Sequence, residues 1–175
     1  MAYGFIRDTI NERLLILYIL DKLIRPVTMS ELTDLAMCDG GMNYFRFTEG
    51  LAGLVENGQV VEDGDKRYAI TAAGRHNCAE CVTELPKSVR NRCDGNTRAL
   101  NQILKRRSQI HSAVRPDPDP KRAGCRVELA LDDEAGNMMT LTLAAPDETQ
   151  AKLLADRFRE RAEQVYQAIL TTLLE

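Results

Sequence analysis

The feature that most restricts the fold of this chain is a run of seven consecutive apolar residues at positions 14–20, followed by Leu23 and Ile24. Thr9 and Glu12 form the pattern of a capping box ahead of the run, and Pro26 ends it, so the sequence predicts a helix over residues 9–25. Such a helix is apolar on nearly every side and must be covered on several faces. The run is far shorter than the ~20 residues of a membrane span, so we expect it inside a folded domain.

The composition agrees with a folded globular chain. The 175 residues are 44% hydrophobic and 28% charged, which is enough apolar surface to offset the entropy lost on folding. This length predicts one domain or two small ones. Residues 1–8 lack the features of a secretory signal, and the cysteine count of five is odd. We therefore expect a cytoplasmic protein with reduced thiols and no membrane partner.

Residues 28–58 carry the signals of two more helices separated by a turn. Thr28 and Glu31 form a second capping box, and the sequence Cys-Asp-Gly-Gly-Met at residues 38–42 predicts a turn. Asn43 is a good N-cap for a third helix, and Asn-Gly at residues 57–58 predicts its end. Two glycines inside this helix, at positions 50 and 53, predict the close approach of another backbone segment or helix on that side.

Residues 59–85 continue with a hairpin and a fourth helix. Alternating segments at 59–62 and 67–70 flank the sequence Asp-Gly-Asp-Lys, and Asp-Gly between extended segments is a strong hairpin signal. Thr71 is the expected N-cap of a helix that reaches about Leu85. Three helices, a tight hairpin and another helix in this order predict a winged helix-turn-helix domain over residues 1–85.

Two resemblances agree with this prediction. The sequence Arg-Tyr-Ala-Ile-Thr-Ala-Ala-Gly-Arg at residues 67–75 resembles the exit of the wing in PadR-like and MarR-like bacterial regulators. The whole chain resembles an uncharacterised bacterial family, known only as a domain of unknown function, whose members are described as winged-helix transcriptional regulators. The resemblance implies a winged-helix fold and a role in transcription, but it implies no ligand and no target.

Residues 86–122 are predicted to form a linker helix and a proline-rich spacer. Apolar residues between Val89 and Val114 approximate a 3.5-residue repeat, which suits either pairing with a second copy or packing on the chain's own core. Asp-Gly-Asn at residues 94–96 predicts a turn that would kink or divide this helix. The sequence Arg-Pro-Asp-Pro-Asp-Pro at residues 115–120 predicts an extended, semi-rigid spacer.

Residues 123–175 predict a ββα unit, so the expected fold class is α+β. Apolar and polar residues alternate at 125–132 and at 138–143, and Pro146 with the two acidic residues after it predicts the start of a last helix. A two-stranded unit of about fifty residues is marginal alone. We therefore expect a homodimer; this unit could also sense a small-molecule effector, which the sequence does not identify.

Charge is strongly segregated along the chain. Residues 1–86 carry 8 basic and 13 acidic side chains, residues 87–126 carry 11 and 3, and residues 127–175 carry 4 and 10. The basic middle could bind a polyanion, or it could pair with the chain's own acidic ends.

The helix-turn-helix pattern assigns candidate contacts to double-stranded DNA, because the second helix of the motif enters the major groove and the wing touches phosphates. The expected contacts are Asn43, Arg46, Glu49 and Gly50 on the third helix, with Gly53 as a further outward position, and Lys66 and Arg67 on the wing. This predicts a dimeric DNA-binding transcriptional regulator, although acidic residues on the helix oppose phosphate. The alternative is a winged-helix protein–protein interaction module that does not bind DNA.

We find no catalytic constellation and no phosphate-binding loop in the sequence, so we expect no enzyme and no cofactor. The most notable cluster with metal-binding residue types is His76, Cys78 and Cys81, with Cys93 further along. Structural zinc sites usually have two ligand pairs, and cysteine is a common core residue. We therefore expect no metal site here.

Overall fold

The computed structural model describes residues 8–37, 41–118 and 124–175. The chain divides into two compact units, Met1–Leu104 and Lys105–Glu175, whereas the sequence suggested boundaries near residues 86 and 123. The fold is mixed α+β, as expected. In chain order, the elements are α1 Thr9–Lys22, β1 Val27–Thr28, α2 Met29–Ala36, α3 Tyr44–Glu56, β2 Val60–Glu62, β3 Arg67–Ile70, α4 Ala72–Cys81, α5 Lys87–Ser108, β4 Ile110–Pro116, β5 Cys125–Asp132, β6 Asn137–Ala145 and α6 Glu148–Leu174.

Helix α1 is the centre of the first unit. Residues 14–20 are all buried, which confirms the prediction that this helix is covered on several faces. Helices α2, α3 and α4 and strand β3 contact it. On another side, the Tyr18 hydroxyl donates a hydrogen bond to Asp94 of α5 at 2.7 Å, and the Asn101 side chain donates one to the carbonyl of Lys22.

The sheet of the first unit is antiparallel with the strand order β1-β3-β2. Strands β2 and β3 form the predicted hairpin, with Val60 opposite Ile70. Strand β1 was not predicted because its two residues are too few to show an alternating pattern; it places Val27 opposite Tyr68. The hairpin is therefore joined to the chain that precedes α2.

Local capping signals place most helix starts correctly. Thr28 forms the expected capping box with Glu31, and the side chains of Asn43 and Thr71 cap α3 and α4. The predicted start of α1, with Thr9 as its cap, was wrong. Its N-cap is Asp8, whose carboxylate accepts a hydrogen bond from the backbone of Asn11 at 2.7 Å, so Thr9 is already helical.

Helix α5 corrects the predicted linker. It runs without a break through Asp-Gly-Asn at residues 94–96 and ends at Ser108. Burial of Val89, Cys93 and Thr97 on its opposite face stabilises the helix against the cost of the glycine. For residues 87–104, the apolar face therefore packs on the chain's own core, which was one of the two predicted alternatives.

The second unit contains a third strand that the sequence analysis missed. Strand β4, Ile110–Pro116, was predicted partly as helix and partly as spacer, but it pairs with β5 in an antiparallel sheet of order β4-β5-β6. Residues 119–123, which include the last two residues of the predicted spacer, lie outside the described residues, as do Cys38, Asp39 and Gly40 of the predicted turn. The unit is βββα rather than ββα. We expected a homodimer because a two-stranded unit is marginal alone, and the additional strand now supplies part of that missing support. Homodimerisation stays a prediction.

Helix α6 packs on this sheet through Ala151, Ala155, Phe158 and Ala162. Its N-cap is Asp147, so it begins two residues later than predicted from Pro146. Within the described ranges, no helix combines the length and the apolar character that crossing a membrane requires.

Two helical glycines offer a matched test of this packing. A Cβ added to Gly74 of α4 would lie 2.2 Å from the carbonyl oxygen of Gln59, whereas one added to Gly95 of α5 would meet nothing within 4 Å. We expect Gly74→Ala to lower the free energy of unfolding by about 1–3 kcal/mol. Gly95→Ala should raise it by up to about 1 kcal/mol because alanine favours the helix. Urea denaturation of both variants checks this, and equal effects would contradict the packing.

Candidate functional site

Helix α3 was predicted to carry most of the site, and the structure divides it into three faces. One face is in the core of the first unit and contains Phe47, Leu51 and Leu54. A second face lies against α1. The third, which we call the outer face, is formed by Phe45, Thr48, Glu49, Ala52 and Glu56, of which Thr48 is half-buried and the others are exposed.

The face against α1 contains two of the residues that were expected to point outward. Gly50 is buried, and a Cβ added there would lie 3.3 Å from Cδ1 of Ile16. A Cβ added to Gly53 would lie 2.8 Å from the guanidinium of Arg13. The close approach of a helix, predicted from these glycines, is confirmed. The assignment of Gly50 and Gly53 as outward-facing contacts is corrected.

Arg46 lies on the same face, where it pairs with Glu12 of α1. Its Nε is 2.6 Å from Oε1 of Glu12, and Glu12 is only 2% exposed. Burial raises the pKa of Glu12, and the positive charge of Arg46 opposes that rise. A contact from Arg46 to guanine that used Nε would require this ion pair to break and would leave a buried carboxylate unpaired.

The outer face carries negative charge and aromatic surface. Phe45 is 81% exposed, and its ring meets that of Tyr44 edge to face with the centroids 6.2 Å apart. Arg46 is the one basic residue in the sequence of α3. Because Arg46 lies on another face, the outer face presents the carboxylates of Glu49 and Glu56 and no cation.

Asn43 is exposed at the start of α3, but its side chain has a structural role. Oδ1 of Asn43 accepts a hydrogen bond from the backbone N–H of Arg46 at 3.0 Å. This bond caps the helix. A bidentate contact from the Asn43 side-chain amide to adenine would also use Oδ1, so it would compete with the bond that caps the helix.

The tip of the hairpin exposes both cations that the sequence assigned to it. Lys66 has a φ of 56°, in the left-handed region that closes the turn, and the backbone N–H of Arg67 donates to the Asp63 carboxylate at 2.9 Å. Glu62 and Asp65 are also exposed here. The tip therefore carries two positive and three negative side chains.

A groove of about 280 Å³ adjoins the outer face, and the sequence analysis did not find it. Its walls come from α3, from the start of α2 and from the hairpin: Met29, Thr48, Leu51, Ala52, Val55, Glu56, Glu62 and Tyr68. Burial, and then the neighbouring Glu62 carboxylate, raise the pKa of Tyr68. The groove combines an apolar lining with two carboxylates, and no local pattern could reveal it because three separate elements form it.

The cysteine cluster does not assemble into a ligand set. His76 is exposed, whereas Cys78 and Cys93 are buried in the core of the first unit. Burial raises the pKa of Cys78 to about 11, so its thiol stays protonated at neutral pH. Across residues 8–37, 41–118 and 124–175, no group of three His, Cys, Asp or Glu side chains is placed to hold a metal ion.

The fold and the site define a two-unit α+β protein whose first unit has an acidic, partly aromatic outer face. Residues 12–173 match the family model described as Domain of unknown function (DUF4364), so the chain belongs to this family. This agrees with the resemblance to an uncharacterised family. No curated protein and no solved structure matches the chain.

The buried Glu12 should make stability depend on pH. Since its pKa is raised from 4.5 in the folded state, folding disfavours the charged carboxylate. The free energy of unfolding should therefore fall as the pH rises from about 4.5 through the raised pKa, and the loss should persist at higher pH. Relative to Glu12→Gln, which cannot titrate, the wild type should be less stable at about pH 7 than at about pH 4.

Urea denaturation across this pH range measures the difference between the two proteins. Glu84→Gln, which changes an exposed residue after α4, is the control and should follow the profile of the wild type. A difference between wild type and Glu12→Gln that stays constant, or that shifts in favour of the wild type as the pH rises, would contradict the burial of this carboxylate.

Proposed function

We propose that the first unit is a winged-helix module that binds a partner protein through the outer face of α3 and the adjoining groove. The order of its elements, with α1, β1, α2 and α3 followed by a hairpin, and its strand order β1-β3-β2 support the winged-helix assignment. In this assignment α3 is the exposed helix of the motif, and the hairpin is the wing.

The observation that carries the proposal is the charge on the outer face of α3. DNA binding draws most of its affinity from cations that neutralise phosphates, and bases are read mainly by side chains such as Arg, Lys, Asn and Gln. The outer face has Glu49 and Glu56 instead, and the ion pair with Glu12 holds Arg46 on another face. Base-specific DNA binding through α3 therefore has less support than protein binding.

The chemistry of the groove indicates the kind of partner. Met29, Ala52 and Val55 offer apolar surface, while Glu56 and Glu62 offer negative charge beside it. Phe45 adds an exposed aromatic ring, a residue type enriched in the core of protein interfaces. A segment that places an apolar side chain next to Lys or Arg would match both properties.

A peptide selection on the immobilised full-length chain tests this proposal. We expect a random peptide library to yield binders with an apolar residue beside Lys or Arg. The charge reversal Glu56→Lys with Glu62→Lys should weaken their Kd about tenfold, which corresponds to about 1.4 kcal/mol. The control, Glu160→Lys with Glu175→Lys, makes the same change in net charge at exposed positions of the second unit and should leave the Kd unchanged.

Two outcomes would count against the proposal. One is that the selected peptides show no preference for an apolar residue beside Lys or Arg, or that the test and control double variants weaken peptide binding equally. The other is salt-sensitive binding to a selected duplex DNA that Arg46→Ala abolishes, which would support base reading by α3.

A further inference from the structure

The structure divides the basic segment of residues 87–126 into two parts. From Lys105 onward, four basic residues of this segment pair with acidic residues of the second unit. Ion pairs join Lys105 to Glu134, Arg106 to Glu163, Arg115 to Glu128 and Arg126 to Asp117. In contrast, Lys87 and Arg98 are exposed, and neither has an acidic partner within the part of the chain that the structure describes. The positive charge at the start of α5 is therefore not neutralised by these pairs.

Five exposed residues of α5 form one stripe, which we call the α5 stripe: Lys87, Asn91, Gly95, Arg98 and Gln102. Their spacings of four, four, three and four residues keep them on one side of a helix with 3.6 residues per turn, over about 22 Å. The stripe contains no carboxylate. Asp94 is the one acidic residue of α5, and it accepts a hydrogen bond from Tyr18 at 2.7 Å.

Gly95 lies in the middle of the α5 stripe, and neither close packing nor backbone conformation within the first unit requires a glycine there. A Cβ added there would meet nothing within 4 Å, and its φ is not in the left-handed region. An exposed glycine inside a helix costs about 1 kcal/mol relative to alanine. Because glycine has no side chain, nothing projects from the helix surface at this position between Lys87 and Arg98. A large ligand can therefore approach the helix backbone there.

We infer that the α5 stripe binds the phosphodiester backbone of duplex DNA without reading its bases. Lys87 and Arg98 supply charge for phosphates, and the amides of Asn91 and Gln102 supply hydrogen-bond donors for phosphate oxygens. This surface is distinct from the outer face of α3. The inference therefore adds a nucleic-acid contact to the proposed protein-binding function and does not depend on it.

The chemistry of α5 separates duplex DNA from other polyanions. Single-stranded nucleic acids are bound largely by stacking on aromatic side chains, and the sequence of α5 has none. An amphipathic helix binds an anionic membrane by inserting a free apolar face. The apolar face of α5 is instead buried, through Val89, Cys93 and Leu104.

Fluorescence anisotropy with a labelled 20-base-pair duplex, measured on the full chain over a series of KCl concentrations, tests the inference. The variant Lys87→Gln with Arg98→Gln removes two phosphate contacts. We expect it to weaken binding about tenfold at low salt and to reduce the slope of log K against log[salt] by about 1.8, from ~0.9 for each phosphate. Gly95→Leu should weaken binding several-fold without lowering the Tm, because its side chain projects into open space.

The matched control is Lys152→Gln with Arg159→Gln, which removes two exposed cations that pair within α6. It changes the net charge equally and should leave both the affinity and the salt slope unchanged. Three results would overturn the inference: no binding to the duplex, equal losses in both double variants, or tighter binding to a single strand of the same sequence.

Discussion

The burial of α1 on all sides is the constraint on which the first unit depends. Its seven consecutive apolar residues at 14–20 draw three helices and a strand around it, with α5 on a further side. Near its N-terminus, the buried Glu12 and the half-buried Arg13 both contact α3. Because Glu12 is buried, it needs a cation, and Arg46 supplies it. The core thus determines which charges α3 presents outside.

Local sequence signals predicted much of this fold. The caps at Thr28, Asn43 and Thr71, the hairpin around Asp-Gly and the alternating strands β5 and β6 depend on neighbouring residues, so a single sequence reveals them. The predictions that failed concern elements whose structure depends on residues distant in the sequence. Strand β4 exists because β5 pairs with it, and α5 continues through Asp-Gly-Asn because its other face is buried.

The geometry of the candidate site was predicted only in part for the same reason. The sequence located α3 and the hairpin, and Asn43, Glu49, Lys66 and Arg67 are exposed there; their contact with DNA stays a prediction. It could not show that Glu12, expected to cap α1, would instead pair with Arg46 across 34 positions of the chain. The small residues at 50 and 53 were the available signal, since close helix packing on that side implies that Arg46 beside them also faces α1.

The most direct test of the central claim is a double-mutant cycle of Glu12→Gln and Arg46→Gln, read from the free energy of unfolding near neutral pH. If Glu12 holds Arg46 against α1, the two substitutions should be coupled by about 1–3 kcal/mol. Each substitution should then be less favourable for stability in the wild-type background than in the background whose partner residue is already neutral. A coupling within about 0.3 kcal/mol of zero would contradict the claim, because Arg46 would then be available on the surface of α3.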